Sequence, residues 1–100
     1  MAGVDPQTLI LSALAAGPKH GYAITQDVAE VAGVNLGPGT LYGAISRLED
    51  KGYIKALPGD ERRRPYELTA HGAEVLKAEL SRMQRVAKTG LGRLATGGAA

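Results

Sequence analysis

Three consecutive arginines, Arg62, Arg63 and Arg64, stand just before an alternating run that begins at Tyr66. A guanidinium group can bind a phosphate through two parallel hydrogen bonds, and it also fits a narrow minor groove of DNA. Neighbouring like charges repel unless an anion binds, although the acids at 60–61 relieve part of that repulsion. The cluster therefore predicts a nucleic-acid contact, with a solvated loop as the alternative.

The other polar residues form no pattern typical of catalysis or metal binding. The two histidines, His20 and His71, stand at predicted helix starts, where capping or phosphate binding fits better than catalysis. The GPGT at 37–40 lacks the Lys-Ser/Thr of a phosphate-binding P-loop. The absence of cysteine excludes disulfides, thiolate zinc sites and cysteine nucleophiles. We therefore predict a protein that is not an enzyme and uses no metal or cofactor.

Length and charge favour one small domain with a polyanionic partner. One hundred residues, 44% of them hydrophobic, predict a single domain with one modest aliphatic core. Residues 1–50 carry a net charge of −3 and residues 51–100 a net charge of +5, an asymmetry typical of nucleic-acid binding. The sequence has no membrane-length apolar run and no signal-peptide pattern, so we expect a cytoplasmic protein.

Cap and stop residues predict three helices in the first half of the chain. Asp5-Pro6 begins the first helix and Gly17-Pro18 ends it. The second helix is predicted from His20-Gly21 to Gly33, with an apolar face formed by Tyr22 or Ala23 together with Ile24, Val28 and Val31.

The third helix is predicted between an N-cap at Gly37 and a left-handed C-cap at Gly52. Its apolar stripe comprises Leu41, Ala44, Ile45 and Leu48, and its opposite face carries Gly39, Tyr42, Gly43, Ser46, Arg47 and Asp50. Small residues on that face allow a close approach to a partner. Arg47 is predicted to read a guanine or bind a phosphate, and a surface ion pair with Glu49 or Asp50 is the alternative.

After Gly52 the apolar period changes to two, which predicts a β-hairpin from strands at 53–57 and 66–68 with a charged tip. Thr69 is expected to cap a final helix that carries a heptad-like seam of Leu76, Leu80, Met83, Ala87, Gly90 and Leu94. A second copy of the chain would cover this seam, unless the helix folds back on its own domain. The order α-α-α-β-β-α predicts a mainly α, α+β winged helix-turn-helix over 1–69, a dimerisation helix over 70–95 and a flexible tail over 96–100.

Three segments resemble the PadR family of bacterial transcriptional regulators: HGYAI at 20–24, GTLYGAISRLEDKGYI at 39–54 and RRRPYELTAHGAEVL at 62–76. The resemblance covers roughly residues 7–95. It implies a dimeric winged-helix repressor whose third helix, about 38–51, lies in the major groove. The arginine hairpin would then contact the DNA backbone or minor groove, and Tyr22, Thr40 and Tyr42 match family positions close to the backbone.

Two features depart from the family pattern. Gly43 stands where the family often has proline or a larger residue, which is expected to loosen the recognition helix. The sequence has one C-terminal helix, as in the shorter branch of the family. Because it also has no tryptophan, the aromatic dimer pocket of drug-sensing relatives is not expected.

The predicted site residues form two groups. The DNA-binding group is Lys19, His20, Tyr22, Gly39, Thr40, Tyr42, Ser46, Arg47, Arg62, Arg63, Arg64 and Tyr66; the dimerisation group is Leu76, Leu80, Met83, Ala87 and Leu94. The predicted partners are a palindromic double-stranded DNA operator and a second copy of the chain, with any small-molecule effector unidentified. The alternative is a winged-helix protein-interaction module without specific DNA binding.

Overall fold

A computed structural model of the chain describes residues 4–60 and 63–97. Its elements are α1 Pro6–Leu14, α2 Gly21–Ala32, α3 Pro38–Asp50, β1 Ile54–Ala56, β2 Tyr66–Leu68 and α4 Ala70–Ala95. The two strands pair antiparallel, with Ile54 opposite Leu68 and Ala56 opposite Tyr66. This arrangement confirms the predicted α+β winged-helix fold.

The predicted cap residues form the helix ends. Asp5 Oδ1 accepts a hydrogen bond from the Gln7 N–H at 3.1 Å, and Pro6 occupies the first turn of α1. Gly33 ends α2 with a φ of 67°, a left-handed conformation that favours glycine.

The end of α3 turns the chain directly into the hairpin. Gly52 has a φ of 77°, and its N–H donates to the Glu49 carbonyl at 2.9 Å. The Tyr53 N–H donates to the Leu48 carbonyl at 3.0 Å, which completes a Schellman motif. Because β1 begins at Ile54, the direction of the hairpin is set by the end of α3.

Lys19 extends the hairpin sheet from the α1–α2 loop. Its N–H donates to the Tyr66 carbonyl at 3.1 Å, and its carbonyl accepts from the Tyr66 N–H at 2.9 Å. The sequence predicted no strand pairing at this position. The pair of hydrogen bonds ties the start of the helix-turn-helix to the base of the hairpin.

The aliphatic core lies where the four helices and β1 meet. Ile10, Ile24 and Leu48 are fully buried, and burial of each such side chain stabilises the fold by about 1.5–3 kcal/mol. The buried apolar set is Ile10, Leu11, Ala13, Leu14, Ile24, Val28, Leu36, Leu41, Ala44, Ile45, Leu48, Ile54 and Leu76.

Two predicted apolar positions differ in the structure. Val31, expected in the core, is 74% exposed because it lies on the last turn of α2, beyond the buried Val28. Leu76, assigned to the dimer seam, is 5% exposed and belongs to the core. The first turns of α4 pack against α1, so Leu76 fills the interior of its own chain.

Among the described residues, no helix is both long enough and apolar enough to cross a membrane.

Candidate nucleic-acid interface

The α3 helix has one buried face and one exposed face. Leu41 and Leu48 are 3% and 0% exposed, so the apolar stripe fixes the helix on the core. On the other side Thr40, Ser46 and Arg47 are exposed. Gly39 is also exposed, and a Cβ built on it would meet no atom within 4 Å. The predicted polar face of α3 is therefore exposed and free to contact a partner.

Arg47 forms no ion pair with any carboxylate in residues 4–60 and 63–97. The alternative interpretation, a surface ion pair with Glu49 or Asp50, is therefore not supported. Its Nη1 atom lies 3.6 Å from the position that a Cβ on Gly43 would occupy. The side chain thus lies back along its own helix, beside a shallow cleft that Thr40 also lines. The guanidinium is available to an anion.

Tyr42 joins α3 to the first turn of α2. A Cβ on Gly21 would collide with the Tyr42 hydroxyl oxygen and lie 3.0 Å from its Cζ atom, so glycine at this position lets the Tyr42 ring lie directly against the α2 backbone. The next residue, Tyr22, is 68% exposed and its hydroxyl accepts from Gln26 Nε2 at 3.2 Å. The half-buried Lys19 and His20 directly precede this turn. Although His20 is the α2 N-cap, its side chain makes no capping hydrogen bond.

Tyr66 lies between the hairpin and α3. Its side chain is half-buried and packs against the core. Burial raises the pKa of the Tyr66 hydroxyl above its ordinary value, the charges of Glu49 and Tyr42 raise it further, and Arg64 lowers it. These interactions place the base of the hairpin beside α3. Glu49, seven residues after Tyr42 on the same helical face, was considered from the sequence only as an ion-pair partner of Arg47.

The hairpin tip presents two described arginines to solvent. Arg63 and Arg64 are exposed, and neither forms an ion pair with a carboxylate that the structure describes. Asp60 Oδ1 accepts from the Arg63 N–H at 2.8 Å, which closes the turn. Arg62, the third predicted arginine, lies outside the described residues.

The second half of α4 carries an exposed apolar stripe. Leu80 is 39% exposed, Met83 is half-buried, Ala87 is exposed and Leu94 is 70% exposed. Leu91 is also on this side of the helix and is 68% exposed. The sequence prediction of the seam did not include Leu91, because the heptad spacing selects Gly90 instead.

Two open grooves flank this stripe. The larger, of about 790 Å³, is called the flank groove and is lined by Ala15, Leu68, Ala73, Leu76, Lys77, Leu80, Ser81, Met83, Gln84 and Ala87. The other, the α1–α2 groove, has about 430 Å³ and includes Leu9, Val31, Val34, Leu80 and Met83. Val31, exposed in the single chain, is therefore part of one apolar surface with the α4 stripe.

Within the described ranges, no group of three or more histidine, cysteine, aspartate or glutamate side chains has the arrangement of a metal site. The described side chains of the predicted DNA-binding group lie on α3, in the first turn of α2 and the loop before it, and on the hairpin.

Residues 10–78 match the family model described as the transcriptional regulator PadR-like family. That range runs from α1 through the first turns of α4. It contains each predicted DNA-binding residue.

Solved structures resemble the chain over most of its length. A PadR family transcription regulator from hypervirulent Clostridium difficile R20291 is 31% identical with a TM-score of 0.79, covering 89% of this chain and 97% of that one. A transcriptional regulator from Clostridium thermocellum is 33% identical with a TM-score of 0.73, covering 83% of this chain and 86% of that one.

A curated relative from Streptomyces fradiae is 49% identical over 82 residues. It is described as an uncharacterized 37.1 kDa protein in transposon TN4556. The match covers 82% of this chain but only 24% of the relative, so the chain spans about a quarter of that protein's length.

Proposed function

Because the chain belongs to the PadR-like family of transcriptional regulators, we propose that it is a sequence-specific repressor that binds a palindromic operator as a homodimer. Membership confirms the resemblance found in the sequence and the prediction that the chain is not an enzyme. The observation that carries the proposal is the two-sided α3 helix, which buries Leu41 and Leu48 and leaves Thr40, Ser46 and Arg47 exposed.

In the proposed complex, α3 lies in the major groove, which is about 12 Å wide and admits one α-helix. Gly39 and Gly43 allow the backbone to approach the bases, while Thr40, Ser46 and Arg47 face them. The Tyr22 and Tyr42 hydroxyls, together with Lys19 and His20, are assigned to phosphates. The exposure of both tyrosines on adjoining turns supports this assignment.

The hairpin is assigned to the DNA backbone or the minor groove. Arg62, Arg63 and Arg64 supply the cations, and Arg63 and Arg64 make no ion pair with the described carboxylates that would compete with phosphate. Tyr66, also in the predicted DNA-binding group, has a half-buried side chain that packs against the core, and the charge of Glu49 on α3 raises the pKa of its hydroxyl. We assign it to holding the hairpin at a fixed angle to the recognition helix.

We assign the α4 stripe to the contact with the second copy of the chain. Leu80, Met83, Ala87 and Leu94 form an apolar surface that a two-fold partner would remove from water. The adjoining α1–α2 groove with Val31 enlarges that surface. Two recognition helices held about 34 Å apart would then meet successive major grooves on one face of the operator. Such a regulator works where DNA is present, which for this family member we take to be the cytoplasm.

A salt titration tests the proposal. Fluorescence anisotropy measures binding to a random duplex and to an operator selected from a random library, each over a range of salt concentrations. Each phosphate contact contributes about 0.9 to the slope of log K against log salt, so both affinities should fall steeply, with the operator bound more tightly throughout. Salt-independent binding, or no binding to either duplex, would favour the protein-interaction module instead.

A further inference from the structure

The last turns of α4 extend beyond the part of the helix that packs on its own chain. Every residue from 84 to 95 is exposed, and we call this segment the arm. An isolated helix of this length is only marginally stable in water, because few residues share the cost of starting it. Gly90 and Gly92 lower its helix propensity further. The arm therefore needs a second surface to stay helical.

The apolar residues of the α4 stripe are symmetric about Ala87. Leu80 and Leu94 stand seven residues to either side of it, and Met83 and Leu91 stand four to either side. When two α4 helices cross antiparallel at Ala87, Leu80 of each copy faces Leu94 of the other. Met83 and Leu91 face each other in the same way. The small side chain of Ala87 allows the helices to approach closely at the crossing. This symmetry favours a second copy of the chain as the surface that covers the arm.

Charge distinguishes the two grooves that the arm of a second copy can reach beside the stripe. The arm carries Arg85, Lys88 and Arg93 and has no acidic residue. The flank groove has one charged residue in its lining, Lys77, which repels a basic helix. The flank groove is therefore the less favourable of the two positions.

The α1–α2 groove has acidic residues at its α2 edge. Asp27 precedes Val31 by one turn on the same side of α2, and Glu30 adjoins Val31. Glu30 is exposed and Asp27 is half-buried. Neither carboxylate forms an ion pair with a cation that the structure describes. An apolar groove with two uncompensated carboxylates at its edge is complementary to the arm, which is apolar on one side and basic elsewhere.

We propose that the arm of each copy lies antiparallel in the α1–α2 groove of the other, with Arg93 at the carboxylates of Asp27 and Glu30. Leu94 then covers Val31, which is 74% exposed in the single chain. Arg93 belongs to the last turn of α4, the part of the arm that reaches farthest over the other copy. The contact is reciprocal, so a dimer contains it twice. This placement of the arm rests on the homodimer of the proposed function.

Mixed dimers of two charge-reversed variants test the contact. Arg93→Glu alone and Glu30→Arg alone each place like charges at both contacts of a homodimer. Each should weaken the dimer at least about tenfold at low salt in sedimentation velocity. When the two variants are mixed, each arm meets a groove of opposite charge. Native mass spectrometry should therefore find more heterodimer than the statistical proportion, which an ion pair within one chain cannot produce.

The matched control mixes Glu30→Arg with Arg85→Glu, which reverses a charge on the side of α4 opposite the stripe. This mixture should give the statistical proportion of heterodimer. A statistical proportion from the Arg93→Glu mixture as well, or unchanged dimer affinity in both Arg93→Glu and Glu30→Arg, would overturn the contact.

A single introduced cysteine tests the crossing point, because the chain has no cysteine of its own. Ala87→Cys places one thiol of each copy at the crossing, within reach of a disulfide, so oxidised glutathione should cross-link the dimer. Val86→Cys is the control, since Val86 is 64% exposed and lies outside the stripe. Failure of Ala87→Cys to cross-link, or equal cross-linking through Val86→Cys, would overturn the antiparallel crossing.

These results separate the arm from the homodimer itself. An unmodified chain that stays monomeric at every concentration would overturn the homodimer and the placement of the arm together. A stable dimer that shows neither excess heterodimer nor cross-linking at Ala87→Cys would overturn the placement of the arm alone. DNA binding is decided independently, by the salt titration.

Discussion

The backbone carbonyl of Tyr53 occupies the space that a side chain on Gly72 would need. A Cβ on Gly72 would collide with that carbonyl oxygen and lie 2.8 Å from the carbonyl carbon. Around this contact, the Thr69 N–H donates to the same carbonyl at 3.0 Å, and Thr69 Oγ1 donates to the Gly52 carbonyl at 2.7 Å. The first turn of α4 is therefore locked onto the end of α3.

Gly72→Ala is expected to lower the free energy of unfolding by about 1–3 kcal/mol, because α4 must move away from the Tyr53 backbone. The matched control is Gly92→Ala on the same helix, where a Cβ meets no atom within 4 Å. That change should raise stability by about 0.5–1 kcal/mol. Urea denaturation measures both. A Gly72→Ala protein as stable as the parent would mean that α4 docks less closely than the structure shows.

The fold was predictable from the sequence because its helix ends depend on local signals. Asp5, Gly33, Gly52 and Thr69 act through their own backbone or side-chain geometry over a few residues, and each was assigned correctly. The period-two alternation in turn located both strands of the hairpin.

Contacts between distant segments were not predictable in the same way. The bridge from Lys19 to Tyr66 uses only backbone atoms, so no side-chain pattern marks it. Spacing also identifies Leu76 and Leu80 as one apolar stripe without saying which surface covers each. The structure separates them, since Leu76 enters the core of its own chain and Leu80 stays 39% exposed. Val31 shows the opposite error: its spacing on α2 predicted a core position, but the residue is exposed in the structure.

Leu80→Asp is expected to convert the proposed dimer into monomers, because it would place a carboxylate in the apolar α4 stripe that the second copy covers. Sedimentation velocity measures the change. The control is Val86→Asp, since Val86 is 64% exposed and borders neither apolar groove. The monomer should also lose operator affinity, because two half-sites require two linked recognition helices. If Leu80→Asp remains dimeric, the interface lies elsewhere.

Arg47→Ala is expected to weaken binding to the selected operator by about 1–3 kcal/mol and to relax the preference at one base pair. The reason is the exposed position of Arg47 on α3 without a described ion-pair partner. Anisotropy on operator variants measures the effect, with Arg85→Ala on the far half of α4 as the control. Equal weakening on operator and random duplex would assign Arg47 to a phosphate, and no weakening at all would remove this face of α3 from the interface.

Replacement of both Arg63 and Arg64 by alanine is expected to weaken operator and random duplex alike, because contacts to phosphates do not distinguish sequences. Four such contacts in a dimer would reduce the slope of log K against log salt by up to about three to four. Stability should change by no more than about 0.5 kcal/mol, since both side chains are exposed. The matched control removes two exposed cations from α4, Arg85→Ala with Lys88→Ala, and should leave the slope nearly unchanged. An unaltered slope in the hairpin variant would show that these two arginines do not bind DNA, and would leave the affinity to α3, the first turn of α2 and the other assigned contacts.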